Sequence, residues 1–218
     1  MAATIRHFAL AALAFAAVLA TPASAEWTEW TPAEELGWTS GPEDAPVTVI
    51  EYFSPTCSHC REFAEDVLPT IRTDYIETGK VRFIMREWIR NDVDKIILSQ
   101  ARCLDNENGK AFLHDVFARQ DDVFAAAGAG TIAATLIDIG KDYGIADRAA
   151  FDACHTDMNT RFDMLSVEET ADHYGVHASP TFIVDGTSYD ATVSMMTPEG
   201  FSAFLDAELA KTATPPTN

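Results

Sequence analysis

The chain has 218 residues, 47% of them apolar, and a formal charge of −19. That is enough apolar material to bury a real core, and the acidity excludes a basic face for nucleic acid. Four cysteines, Cys57, Cys60, Cys103 and Cys154, are few enough to be read one by one.

The first 25 residues read as an address rather than as fold. A short start bearing Arg6 is followed by an apolar run from Phe8 to Ala20. Pro22 and the small residues Ala23-Ser24-Ala25 close it. This is the pattern of a secretory signal peptide cut after Ala25. The run is short for a bilayer span. Export places the cysteines where disulfides form and persist.

Residues 26–46, rich in Trp, Pro, Gly and acids, predict an extended lead-in. Val47 to Ser54, VTVIEYFS, is β-branched, aromatic and almost continuously apolar, which predicts a strand buried on both faces. Phe63, Val67, Leu68 and Ile71 then recur at helical spacing, with a kink expected at Pro69 and a stop at Gly79. Lys80 to Ile89 predicts a second strand. Strand, helix and strand make a βαβ unit with parallel strands. Between 91 and 174 strand-like runs vanish, and the sequence predicts several helices broken at Asn108-Gly109, Gly128–Gly130 and Gly144, with Asp147 as an N-cap. Thr181 onward returns to β character, Asp185-Gly186 predicts a hairpin, and Thr197-Pro198 opens a last helix running to about Ala210. The division is therefore 1–25 leader, 26–46 lead-in, 47–90 first α/β part, 91–174 helical block, 175–211 second α/β part, and 212–218 disordered tail. The outer parts are expected to share one sheet, with the block inserted between them.

The Cys57-Ser58-His59-Cys60 pair admits several chemistries. Haem attachment needs His after the second cysteine, and Arg61 stands there. A zinc site needs two further ligands, and the other cysteines stand alone and far apart. Copper handling by the thiols is a weaker option. A structural disulfide at this spacing closes a tiny loop and stabilises little. Placement favours thiol exchange. Cys57 falls where a buried strand gives way to a helix, and free N–H groups and the helix dipole favour its thiolate. Cys60 lies one turn on and deeper. His59 is expected to add positive charge or a hydrogen bond beside the Cys57 sulfur. Glu51, inside the apolar strand, is costly unless paired or protonated.

VIEYFSPTCSHCREF, together with GPEDAPVTVIEY and GVHASPTFIVDG, resembles the DsbA-type thiol:disulfide oxidoreductases of the thioredoxin superfamily. The resemblance spans nearly the whole chain after the leader. It implies an α/β thioredoxin fold with an inserted all-helical subdomain. It implies that Glu51 lies beneath the pair and relays the proton of Cys60. It implies a cis Ser179-Pro180 bond facing Cys57, with the Ser179 backbone pairing with an extended client. Ser58-His59 replaces the family's Pro-His, so Ser58 is expected to tune the potential; Ala178-Ser179 also departs from the residues the family more often places before this proline. Some relatives carry a second, structural disulfide, and Cys103–Cys154 is expected to form it. The implied activity is a periplasmic dithiol oxidase with no bound cofactor or metal, acting as a monomer. Its expected partners are reduced exported proteins and a membrane, quinone-linked reoxidising protein of the DsbB type. The same fold run as a reductase or isomerase, or kept as a peptide-binding or chaperone module, is the alternative.

Overall fold

The computed structural model describes residues 36–213. The leader, the first part of the lead-in and the end of the tail lie outside the described residues. The strand predicted from VTVIEYFS is β2 (Val47–Phe53), and every residue in it except Thr48 is buried. Its Val, Ile and aromatic side chains fill both sides of a pleat, so it takes a central place in the sheet. One edge pairs in parallel with β3 (Val81–Glu87), the other antiparallel with β4 (Thr181–Val184). The hairpin partner β5 (Thr187–Asp190) follows β4 through Asp185 (φ 46°) and Gly186 (φ 83°), the left-handed pair that a two-residue turn demands.

The lead-in contributes more than an extended approach. Trp38–Ser40 forms a short strand, β1, antiparallel to β3, giving the order β1-β3-β2-β4-β5. Three residues carry no periodicity of their own, so its partner strand decides its conformation. Asn106 covers its outer edge by accepting from the Thr39 N–H at 2.8 Å and donating to the Thr39 carbonyl at 2.9 Å.

After β2 the chain turns into α1 (Ser58–Glu62). It then alternates a π-helical stretch (Phe63–Val67), α2 (Leu68–Ile71) and a second π-helical stretch (Arg72–Ile76). Pro69 sits at the start of α2, where its missing N–H is absorbed by a widened turn rather than by a broken helix. The predicted apolar face is inside: Phe63, Val67, Leu68 and Ile71 are buried under the sheet. Phe63, Phe182 and Phe201 meet there in tilted and edge-to-face pairs with centroids 4.8–5.0 Å apart. Phe201 comes from α9 (Pro198–Thr212), capped by the Thr197 hydroxyl, which accepts from the Gly200 N–H.

The inserted block is helical throughout: α3 (Asp92–Arg102), α4 (Asn106–Ala118), α5 (Gln120–Ala129), α6 (Ile132–Gly140), α7 (Arg148–Thr156) and α8 (Met158–His173). Asp147 caps α7 through the Ala150 N–H. Two boundaries differ from the sequence reading. The break expected at Asn108-Gly109 falls inside α4, whose cap is Asp105 accepting from the Asn108 N–H. Gly109 is a packing residue rather than a breaker, since a Cβ there would collide with the Trp38 ring. Conversely, the run from Asp147 to Tyr174 is split at Asp157, whose extended backbone ends α7 and whose carboxylate caps α8. The far face of the sheet is closed by α8, with Ile50, Tyr52, Ile84 and Ile183 packed against Val167 and Ala171.

Candidate active site

Strand alternation sets the site. Val49, Glu51 and Phe53 project to one face of β2, Ile50 and Tyr52 to the other. Val49 and Phe53 belong to the cluster that also contains Cys57 and Cys60. Glu51 therefore points into the layer that carries the cysteines, and it is 2% exposed.

The chain leaves β2 through a tight turn in which the Cys57 N–H donates to the Ser54 carbonyl at 3.0 Å. Cys57 is the N-cap of α1, and its carbonyl takes the first helical bond, from the Arg61 N–H at 3.1 Å. Both Cys57 and Cys60 are free thiols. Cys57 retains 6% exposure while Cys60 has none, so only the first is open to attack.

The two thiols are pushed in opposite directions. Cys57 falls from 9.0 to about 5. The hydrogen bond from the Cys60 thiol is the largest cause; burial opposes it, and Ser179 and the N–H groups of Cys60 and His59 reinforce it. Cys60 is held well above 9.0, chiefly by burial, then by its bond to Cys57 and the nearby Glu51 charge. Glu51 itself is raised from 4.5 to about 8 by burial and then by the Cys57 charge. At neutral pH this favours a thiolate at Cys57, the less buried sulfur, a thiol at Cys60 and a protonated carboxyl at Glu51.

The Ser179-Pro180 bond is cis, and its loop faces the pair. The Cys57 thiol donates to the Ser179 carbonyl at 3.3 Å. The Ser179 hydroxyl is buried without a regular hydrogen-bond partner, and it stands close enough to Cys57 to favour the thiolate.

His59 requires a correction. Its imidazole is not turned to the Cys57 sulfur. It is largely exposed, with Nδ1 3.0 Å from the Glu62 carboxylate on the next turn. What His59 contributes to the lowered Cys57 thiol is its backbone N–H, the smallest of the causes, and not its ring. The reason is helical geometry: two residues on from the N-cap the chain has turned about 200° around the axis, so the ring leaves on the opposite side from Cys57, while the amides of the first turn point toward the N-terminal end. Ser58 is likewise exposed at the start of α1. Cys103, the C-cap of α3, is joined to Cys154 of α7 in a disulfide, with Cα atoms 5.7 Å apart.

Sequence reasoning missed the residues that hold the turn. Asp94, fully buried on α3, accepts from the Ser54 hydroxyl through both oxygens at 3.0 Å, from the Thr56 N–H at 3.1 Å and from the Arg90 N–H at 2.9 Å. Asn91 caps α3 and donates to the Thr56 hydroxyl at 2.8 Å. Gln120, the first residue of α5, donates to the carbonyls of Pro55 at 2.8 Å and Cys57 at 3.2 Å. The acid-rich start NDVD was a usable signal that a helix begins near Asp94; nothing local marks Gln120.

Known proteins resemble this chain in sequence and in fold. The profile of the family described as Thioredoxin matches residues 34–207. A Rickettsia conorii protein assigned as a protein-disulfide oxidoreductase is 31% identical over 148 residues, which is 67% of this chain and 52% of that protein. The Bacillus subtilis disulfide bond formation protein D is 44% identical over 43 residues, 20% of this chain and 19% of its own. This chain thus spans about half the length of the Rickettsia relative and less of the Bacillus one. Among solved structures, Wolbachia pipientis alpha-DsbA1 superposes with a TM-score of 0.66 at 24% identity, covering 81% of this chain and 92% of that one. Oxidised BdbD from Bacillus subtilis gives 0.67 at 18%, covering 82% and 96%. These two likenesses concern the fold.

Proposed function

Since this chain belongs to the thioredoxin family and has its fold with an inserted helical block, we propose that it is an exported thiol:disulfide oxidoreductase working as a dithiol oxidase. The observation that carries this reading is the built pair: Cys57, the N-cap of α1, lies 3.3 Å from the Ser179 carbonyl of the cis-proline loop, Cys60 is fully buried one turn on, and Glu51 is buried in the same layer, which lowers Cys57 to about 5 and raises Cys60 above its ordinary value. A low-pKa sulfur is the better leaving group, and a stabilised thiolate favours the reduced protein, which makes oxidation of a client downhill.

In the oxidised protein a client thiolate attacks Cys57 Sγ, the more exposed sulfur. The Cys57–Cys60 bond breaks and Cys60 leaves as a thiolate in an apolar layer that disfavours its charge. The Glu51 carboxyl, whose burial favours its protonated form, supplies the proton. The Ser179 backbone pairs with the extended client and holds its sulfur in line. A second client thiolate then attacks the client sulfur of the mixed disulfide, Cys57 departs as the stabilised thiolate, and two electrons have passed from the client to the pair. Reoxidation falls to a membrane, quinone-linked partner of the DsbB type.

The Ala23-Ser24-Ala25 signal supports export with cleavage after Ala25, and the Cys103–Cys154 bond suits an oxidising compartment such as the periplasm. N-terminal sequencing of the secreted protein tests the cleavage. Two measurements test the activity. A Cys60→Ala variant is expected to accumulate mixed disulfides with reduced exported proteins through Cys57; none trapped would remove the exchange reading. Equilibration with glutathione gives the potential, and a value as reducing as thioredoxin's, about −270 mV, would reverse the direction to reductase.

A further inference from the structure

The turn that presents Cys57 is gripped from the inserted block on two sides. From α5, Gln120 spends its side-chain N–H groups on the carbonyls of Pro55 and Cys57, and it is 2% exposed. From α3, Asp94 takes the opposite kind of group, the Ser54 hydroxyl and the Thr56 N–H. Among the described residues its remaining partner is the Arg90 N–H, so its contacts there are neutral donors rather than a side-chain cation. A buried carboxylate held in this way is tolerable only while every donor stays in place. Any shift of the turn would leave that charge short of a donor and the two carbonyls short of theirs. Carbonyls on one side and donors on the other fix both translation and tilt of the same four residues.

We propose that Gln120 and Asp94 are positioning residues for the Cys57 thiolate: by clamping the Ser54–Cys57 turn from α5 and α3, they hold the Cys57 sulfur at the N-terminal end of α1, before the free N–H groups of its first turn. Donors fixed in advance stabilise an anion without having to reorganise, and that advantage is lost when their support loosens. The inserted block is then part of the redox centre's electrostatics as well as a cover for the sheet. The functional meaning of the clamp rests on the oxidoreductase reading given above.

The test is Gln120→Met, which keeps the volume and removes both donors, alongside Asp94→Asn, which leaves one oxygen for donors that now meet an amide. Three quantities are read on the full chain: the ultraviolet titration midpoint of Cys57, the equilibrium constant with glutathione, and the thermal midpoint. Both variants are expected to raise the Cys57 midpoint by about one unit. They should shift the equilibrium about tenfold toward the protein disulfide, which is about 30 mV of potential. A lower thermal midpoint with the Cys57 midpoint and the equilibrium unchanged would make these residues merely structural and overturn the proposal. If Gln120→Met or Asp94→Asn does not fold, Ser54→Ala, which cuts the hydroxyl link to Asp94, is read for the same two outcomes. The wild-type potential separates the two levels. A strongly reducing value would refute the oxidase direction, while the difference between variant and wild type still decides the clamp.

Discussion

Replacing Glu51 by Gln in the reduced chain is expected to make the protein more stable and slower. Glu51 is 2% exposed and its carboxyl is raised from 4.5 to about 8. A folded-state pKa above the unfolded value means that stability is whole below about pH 4.5 and is lost as pH rises toward 8. Each unit costs about 1.4 kcal/mol, so at pH 7 the wild-type chain gives up about 3 kcal/mol relative to pH 4.5 through this one group. Glutamine keeps the shape and does not titrate. The variant's advantage should therefore grow by about 1.4 kcal/mol per unit from pH 4.5 to 8 and then level off. A constant offset from burying an amide does not matter, because only the slope is diagnostic. Urea unfolding of both reduced chains at four or five pH values measures it. In the oxidised chain the Cys57 charge, the second cause of the shift, is gone, so the window should narrow. Parallel stability curves for the two chains would refute the reasoning. So would an undiminished rate of dithiol oxidation, since the variant has no proton to give Cys60.

Thiolate absorbance of the reduced chain should titrate with a midpoint near the lowered Cys57 value, about 5. The stabilisation it brings is complete above the unfolded 9.0 and is lost as pH falls through about 5. Ser179→Ala should raise that midpoint by about half a unit to one unit, whereas His59→Ala, whose imidazole faces Glu62, should move it by less than about half a unit. A larger effect from His59 would restore the role its sequence position suggested. Removing the disulfide with a Cys103→Ala, Cys154→Ala double variant should cost about 4 kcal/mol by the chain-entropy argument for a separation of 51 residues, read by urea unfolding. The Cys57 midpoint should stay where it is. Arg102→Met leaves the Glu87 carboxylate buried without its guanidinium and should cost about 3–5 kcal/mol in the same assay. Adding Glu87→Gln should return part of that loss, and no recovery would mean that the pair's charges are not what matters.

The sequence by itself determined what local chemistry dictates. An almost continuously apolar run made β2 central, Asp185-Gly186 made a hairpin, Thr197-Pro198 opened a helix, and a strand-to-helix junction put Cys57 at an N-cap. Glu51 announced itself because a carboxylate among β-branched neighbours has no cheap explanation. Tertiary structure decided everything that depends on which distant group arrives. Asp94 reaches the turn across 40 residues and Gln120 across 63 to 65, and no spacing in the chain encodes either meeting. Gly109 looks like a breaker until Trp38 is laid against it. The His59 ring goes to Glu62 rather than to Cys57, because helix rotation puts it on the other side of the axis. Sequence thus marked where a thiolate would form. The hold that Asp94 and Gln120 take on the turn before it follows from packing the inserted helices against that turn.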